Sequence, residues 1–226
     1  MSATFELFGA AHVTTLGVIL TLGFGLGFAA RRTRNPSAVK MINYGLAAAL
    51  LGNAVVWAAG AVGKGIWKLP LQICDLALFA AAYSLFRHNQ FIWELAYFWG
   101  LAGTVQAILT PDLPYNFPHL YFFKFFFTHG SIVVAVIYLA VGMKKSLTFA
   151  SVKRVWLATN AYAFAILAVN AVFGTNYLYL MRKPAQPSLL DYLGPWPFYL
   201  IGLEGVLIVS LVIYYLPFYL RKKTEA

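Results

Sequence analysis

Charged side chains are scarce in this chain: they make up 11% of its 226 residues, and only seven of them are acidic. A soluble globular domain carries about a quarter charged residues, so there is too little polar surface here to wrap a water-soluble core. Hydrophobic residues, at 61%, and aromatic residues, at 17%, take the place of the missing charge. Several apolar runs approach the ~20 residues that cross the hydrocarbon of a bilayer. Cysteine is nearly absent as well. The single Cys74 excludes an intrachain disulfide and any zinc module built on several cysteines. No two histidines stand at the i, i+4 spacing of a helical metal pair. The last apolar run has no lysine, which excludes a retinal-type Schiff base in that segment.

What charge there is sits in clusters. The net charge of +10 is distributed between the apolar runs and not along one polar face, so no nucleic-acid partner is expected. Glu6 precedes the first apolar run and Arg31, Arg32 and Arg34 follow it, the reverse of a secretory signal, so this run is expected to remain as a helix. Proline, glycine and charge clusters divide the chain into spans near 11–30, 42–62, 70–87, 91–109, 120–142, 155–173 and 197–219. The expected fold is therefore all-α: a single domain, residues 1–226, made of seven transmembrane helices.

Cation counting orients this bundle. Arg31, Arg32, Arg34, Lys40, Arg87, Lys144, Lys145, Lys153, Arg154, Arg221, Lys222 and Lys223 follow odd-numbered spans, whereas Lys64, Lys68, Arg182 and Lys183 follow even-numbered ones. The positive-inside rule places the larger group in the cytoplasm, with the N-terminus outside and the C-terminus inside. Tyr115, Phe117, Tyr177, Tyr179, Tyr192 and Trp196 then fall in outer loops. They read as an interfacial aromatic belt or as a lid over a lipid-entry site.

Polar groups inside spans are costly and turn toward a bundle interior or a cavity. In this orientation His12, Cys74, Asp75, Lys124, His129, Glu204, Gln106, Asn170 and Asn176 share the outer half, as a common polar pocket requires. Cys74 follows Pro70 closely, in the first turn of a helix, where the partial positive charge favours a thiolate. A neighbouring ionised Asp75 opposes it. Cys74 is thus either a small buried hydrophobe or a nucleophile, and His129 either a satisfied core histidine or the base that takes the thiol proton. Lys124 either snorkels outward or pairs with Asp75 or Glu204. Glu94, at the cytoplasmic end, is expected to be solvated. His12, His119 and His129 also leave open a zinc-dependent membrane hydrolase, although their spacing does not favour it.

The segments Phe5-Glu6-Leu7-Phe8-Gly9-Ala10-Ala11-His12, Leu69-Pro70-Leu71-Gln72-Ile73-Cys74-Asp75, Glu94 to Gly100 and Pro118 to Gly130 resemble the bacterial YwaF-like integral membrane proteins. So do Asn176-Tyr177 and Gly194-Pro195-Trp196-Pro197. That family is similar at a distance to eukaryotic polytopic proteins that move acyl chains between phospholipids with a cysteine and a histidine. More remotely it resembles the androgen-induced-gene hydrolases of lipid esters, which use a threonine and a histidine. The resemblance implies a multi-pass protein of the bacterial plasma membrane, an acyltransferase or esterase acting on membrane phospholipid or acyl-lipid without a cofactor. It places the nucleophile on Cys74 and the base on His129; the outer-half groups Asp75, Lys124, Glu204, His12, Asn170 and Asn176 are expected to line the same pocket, with Gln72, Lys124 or a backbone N–H steadying the oxyanion. Relatives often carry histidine where this chain has Gln72, which can donate a hydrogen bond but cannot take a proton at neutral pH. The alternative is a non-enzymatic seven-helix protein that binds or transports a small molecule or ion.

Tags at the C-terminus and in the 143–154 loop are expected to be cytoplasmic, and tags at the N-terminus and in 174–196 external, in a protease-accessibility or reporter-fusion assay. Finding both termini on one side would remove the seven-span arrangement.

Overall fold

A computed structural model describes residues 4–61, 69–184 and 188–224. Lys64, Lys68 and Pro187 lie outside the described residues. The helices are α1 (Ala10–Arg32), α2 (Pro36–Ala61), α3 (Ile73–Ser84), α4 (Gln90–Ala102), α5 (Thr104–Leu109), α6 (Leu120–Gly142), α7 (Phe149–Phe173) and α8 (Tyr199–Thr224). Two 3-10 turns, Tyr177–Tyr179 and Leu189–Leu193, lie between α7 and α8. No strand occurs among the described residues. The protein is all-α, as composition requires.

Five helices, α1, α2, α6, α7 and α8, are long and apolar enough to cross a membrane. The other two expected spans are modified. α3 is only 12 residues long, about 18 Å at helical rise against a hydrocarbon thickness of about 30 Å. Its start is set locally: the backbone N–H of Gln72 donates to Asp75 Oδ2 at 3.0 Å, so the helix begins at Ile73 and not at Pro70. The span near 91–109 is divided into α4 and α5. The backbone N–H of Gly103 still donates to Trp99, and that of Ala107 to Gly103, so the two pieces share nearly one axis with a defect at residues 103 and 104.

α6 is the hub, meeting α1, α2, α3, α4 and α5. Its most extensive partner is α1, and small residues let the two backbones close together, as in membrane helix pairs generally. A Cβ placed on Gly142 would lie 3.0 Å from the Gly27 carbonyl oxygen, and one on Gly27 would lie 2.9 Å from Val141 Cβ. On an adjacent stripe of α6, a Cβ at Gly100 of α4 would come within 3.2 Å of Ile132 and 3.0 Å of Val136. α8 is mostly exposed, as a lipid-facing helix is. Pro217 inside it cannot donate to the preceding turn, and the Tyr97 hydroxyl of α4 donates to the Tyr214 carbonyl there at 2.9 Å.

Glu94 departs from the sequence expectation. It is fully buried, not solvated. Its carboxylate accepts from Arg154 Nε at 2.9 Å, Ser151 Oγ at 2.8 Å and Gln90 Nε2 at 3.1 Å, joining α4 to the first turns of α7. A buried carboxylate persists only with this degree of pairing, and the partner was hidden because Arg154 lies 60 residues further along the chain.

Gly27→Val is expected to lower the thermal midpoint in detergent, since overpacking costs about 1–3 kcal/mol. Gly25→Val, where a Cβ meets nothing within 4 Å, is expected to leave it unchanged. Fluorescence-detected size-exclusion melting checks both, and equal behaviour would remove the close α1–α6 seam.

Candidate functional site

The two residues that precede α3, Leu71 and Gln72, are tied to α7 and to the segment that follows it. Gln72 Oε1 accepts from the Leu178 N–H at 3.1 Å, and the Tyr162 hydroxyl of α7 donates to the Leu71 carbonyl at 2.8 Å. Buried Asn170 holds the other side of that loop: its Oδ1 accepts from the Tyr177 N–H at 2.8 Å and from the Thr175 hydroxyl at 2.7 Å, and its Nδ2 donates to the Tyr177 carbonyl at 2.9 Å. Asn176 organises the next turn, accepting from the Met181 and Arg182 amides, each at 3.1 Å. Leu178 and Tyr179 are thereby held at φ 58° and 55°, a left-handed conformation that non-glycine residues adopt only when their surroundings impose it. Gln72, Thr175, Asn176 and Tyr177 border a cavity of about 110 Å³.

Cys74 is half-buried in the first turn of α3, packed against the core. Ile73 and Cys74 precede the helical ladder, so their amides have no carbonyl partner within α3. Tyr179, in the strained turn, lies close enough to feel both Asp112 and Cys74. Burial first, then these two neighbours, push its hydroxyl above the usual tyrosine range, so it is a neutral phenol at any physiological pH. Asp75 turns from Cys74 toward a larger cavity of about 300 Å³. Asn53, Trp57, Pro70, Leu78 and Thr128 also line it, and its wall is mainly apolar. The Thr128 hydroxyl donates to Asn53 Oδ1 at 3.0 Å across it.

The three histidines with proposed roles are separated by their ring partners. His12 is fully buried, accepts from the Phe8 N–H at Nδ1 (3.0 Å), and donates from Nε2 to the Ile108 carbonyl (2.7 Å). Both nitrogens are used in fastening the N-terminal segment to α5. His119 caps α6, accepting from the Tyr121 N–H at 3.2 Å, and is half-buried. His129 differs from both. Its Nδ1 meets the Phe125 carbonyl at 3.0 Å; a carbonyl only accepts, so the hydrogen resides on Nδ1 and the Nε2 lone pair is left open. No hydrogen bond joins His129 to Cys74.

Other expected members of the pocket are dispersed. Lys124 is exposed, and the ion pairs among the described residues are Arg154–Glu94 and Lys183–Asp191. Glu204 of α8 accepts from the Trp156 indole and from Asn160 Nδ2 at 3.3 Å, both on α7. Gln106 bonds within its own turn, to Thr110. Among the described residues no three His, Cys, Asp or Glu side chains converge to hold a metal ion. Asn53, Thr128 and Thr104 were not singled out from the sequence; a hydroxyl or amide in the middle of an apolar span was the available signal.

No solved structure matches the chain. It is similar to an uncharacterized protein of Treponema pallidum (strain Nichols), 28% identical over 156 residues, which cover 67% of this chain. The match spans 62% of that relative, less than two thirds of its length. The model of the TMEM164 family matches residues 7–215, nearly the whole length from the residue after Glu6 to the middle of α8, and the chain therefore belongs to the TMEM164 family.

Proposed function

We propose that this protein is a seven-crossing, multi-pass protein of a bacterial plasma membrane, with its N-terminus outside, that transfers or hydrolyses an acyl group of a membrane lipid in the outer half of the bundle. Cys74 is the nucleophile and His129 the base. The observation that carries this reading is the His129 ring: the bond from Nδ1–H to the Phe125 carbonyl leaves Nε2 as an acceptor, the tautomer a general base needs. The strained Leu178–Tyr179 turn beside the Cys74 helix supports it, because imposed backbone strain concentrates at functional sites.

The chemistry follows from these groups. The thiol proton passes to His129 Nε2 as the Cys74 sulfur bonds to the ester carbonyl carbon, and the carbonyl electron pair moves onto oxygen. Collapse of this oxyanion breaks the ester C–O bond, and the leaving alcohol takes the proton back from Nε2. A second lipid alcohol, or water, then releases the thioester in the same way.

A binding or transport function is the second reading. It is favoured by the larger cavity, which Asp75, Asn53 and Thr128 line but Cys74 and His129 do not.

A long-chain activated ester is expected to acylate Cys74, detected as a mass increment on the intact protein. Cys74→Ala is expected to abolish the increment, and His129→Gln to slow its appearance by ~100-fold or more, the lower range for loss of a positioned base. His12→Ala is expected to reduce stability instead. Undiminished acylation of Cys74→Ala would remove the nucleophile assignment. Ligand binding lost in Asp75→Asn but kept in Cys74→Ser would favour the second reading.

A further inference from the structure

Thr104 is fully buried, and its hydroxyl has no hydrogen-bond partner. This is unusual on two counts. An unpartnered buried polar atom is costly, and a threonine within a helix ordinarily relieves that cost by bonding back to the preceding turn, as Thr159 does to Val155 at 2.8 Å. Thr104 does not, and it stands at the defect that divides α4 from α5.

Its surroundings connect it to the proposed chemistry. Residues 100, 103 and 104 share one side of the α4–α5 axis, by helical periodicity. On that side, a Cβ at Gly103 would lie 3.6 Å from Ile73 Cγ2, in the turn that carries Cys74, and one at Gly100 would lie 3.2 Å from Ile132 of α6. α4 and α6 follow opposite directions, so one turn outward from Gly100 on α4 is Thr104, and the corresponding step from Ile132 on α6 is His129. The orphan hydroxyl thus stands at the level of His129, on the wall between the Cys74 and His129 helices.

We propose that the Thr104 hydroxyl is the hydrogen-bond donor for the lipid ester carbonyl in this site. The inference rests on the Cys74–His129 reading and deepens it. As the carbonyl electron pair moves onto oxygen during attack, Thr104 Oγ–H donates to that oxygen and keeps its proton throughout, while the thiol proton goes to His129 Nε2 and then to the leaving alcohol. The resting protein leaves the hydroxyl without a partner because its partner is the substrate. The chemical class it selects is an oxoester or thioester of a long acyl chain, whose carbonyl oxygen enters an otherwise apolar wall.

The test compares Thr104→Val and Thr104→Ser with the unaltered protein in phospholipid nanodiscs, using p-nitrophenyl palmitate as acyl donor. The nitrophenolate burst, the mass increment at Cys74 and the thermal midpoint are measured on each. Valine keeps the shape and removes the unpartnered hydroxyl, so the midpoint is expected to stay level or rise while acylation slows by ~100-fold or more, the usual loss for one oxyanion donor. Serine retains the hydroxyl and is expected to retain most of the burst. A lowered midpoint for Thr104→Val would show a structural role and overturn the proposal, as would valine acylating at the unaltered rate with Cys74 still the modified residue. Acylation undiminished in Cys74→Ala would overturn the parent reading and this inference together.

Discussion

The close approach of α1 and α6 is the constraint on which the rest of the bundle depends. A bilayer offers no hydrophobic drive to bring helices together, so their association relies on packing and on a few polar contacts. Gly27 and Gly142 supply the packing where the two helices touch backbone to backbone. α6, held in this way, presents separate stripes to α1, α4 and the α2–α3 side. The α4 stripe carries Ile132 and Val136, with His129 a turn above them, and the α2–α3 side carries Thr128 into the larger cavity. Thr128 and His129 of α6 therefore take their positions from a seam in which neither takes part.

Polar clusters at the two ends complete the arrangement by satisfying groups that hydrocarbon does not tolerate. At one end Glu94 gathers donors from Arg154, Ser151 and Gln90. At the other, Asn170 and Gln72 fold the 174–180 segment over the start of α3. These clusters are fully hydrogen-bonded, which is the condition for a buried network to favour one packing. Among the described residues the buried hydroxyls of Ser84, Thr104 and Ser188 have no hydrogen-bond partner, and Thr104 is the one at the α4–α5 defect.

Much of the fold was legible in the sequence. The apolar runs mark every helix to within a few residues at most ends, because a helix that must satisfy its own backbone in lipid is determined by local composition. α3 was read too long, since the Gln72–Asp75 contact that starts it is a local hydrogen bond and not a change in hydropathy. Glu94 was misjudged for a different reason: position near a span end implies solvent, and only a partner from α7 reverses it. Lys124 and Glu204, which opposite charge would pair, are placed on different surfaces.

By itself the sequence determined the all-α, membrane-type character of this protein, the approximate limits of most of its helical segments, and the small set of polar side chains that a membrane must accommodate. Those follow from residue types in contiguous stretches. The tertiary structure alone decided what each polar group is bonded to. His12 and His129 look alike in sequence, but the first spends both nitrogens on backbone, one of them on Ile108, 96 residues away, and the second spends one on its own helix and keeps the other free. A hydrogen-bond partner from a distant helix is invisible to periodicity and composition, and that partner is what turns His12 into a strut, whereas His129, bonded within its own helix, keeps Nε2 open.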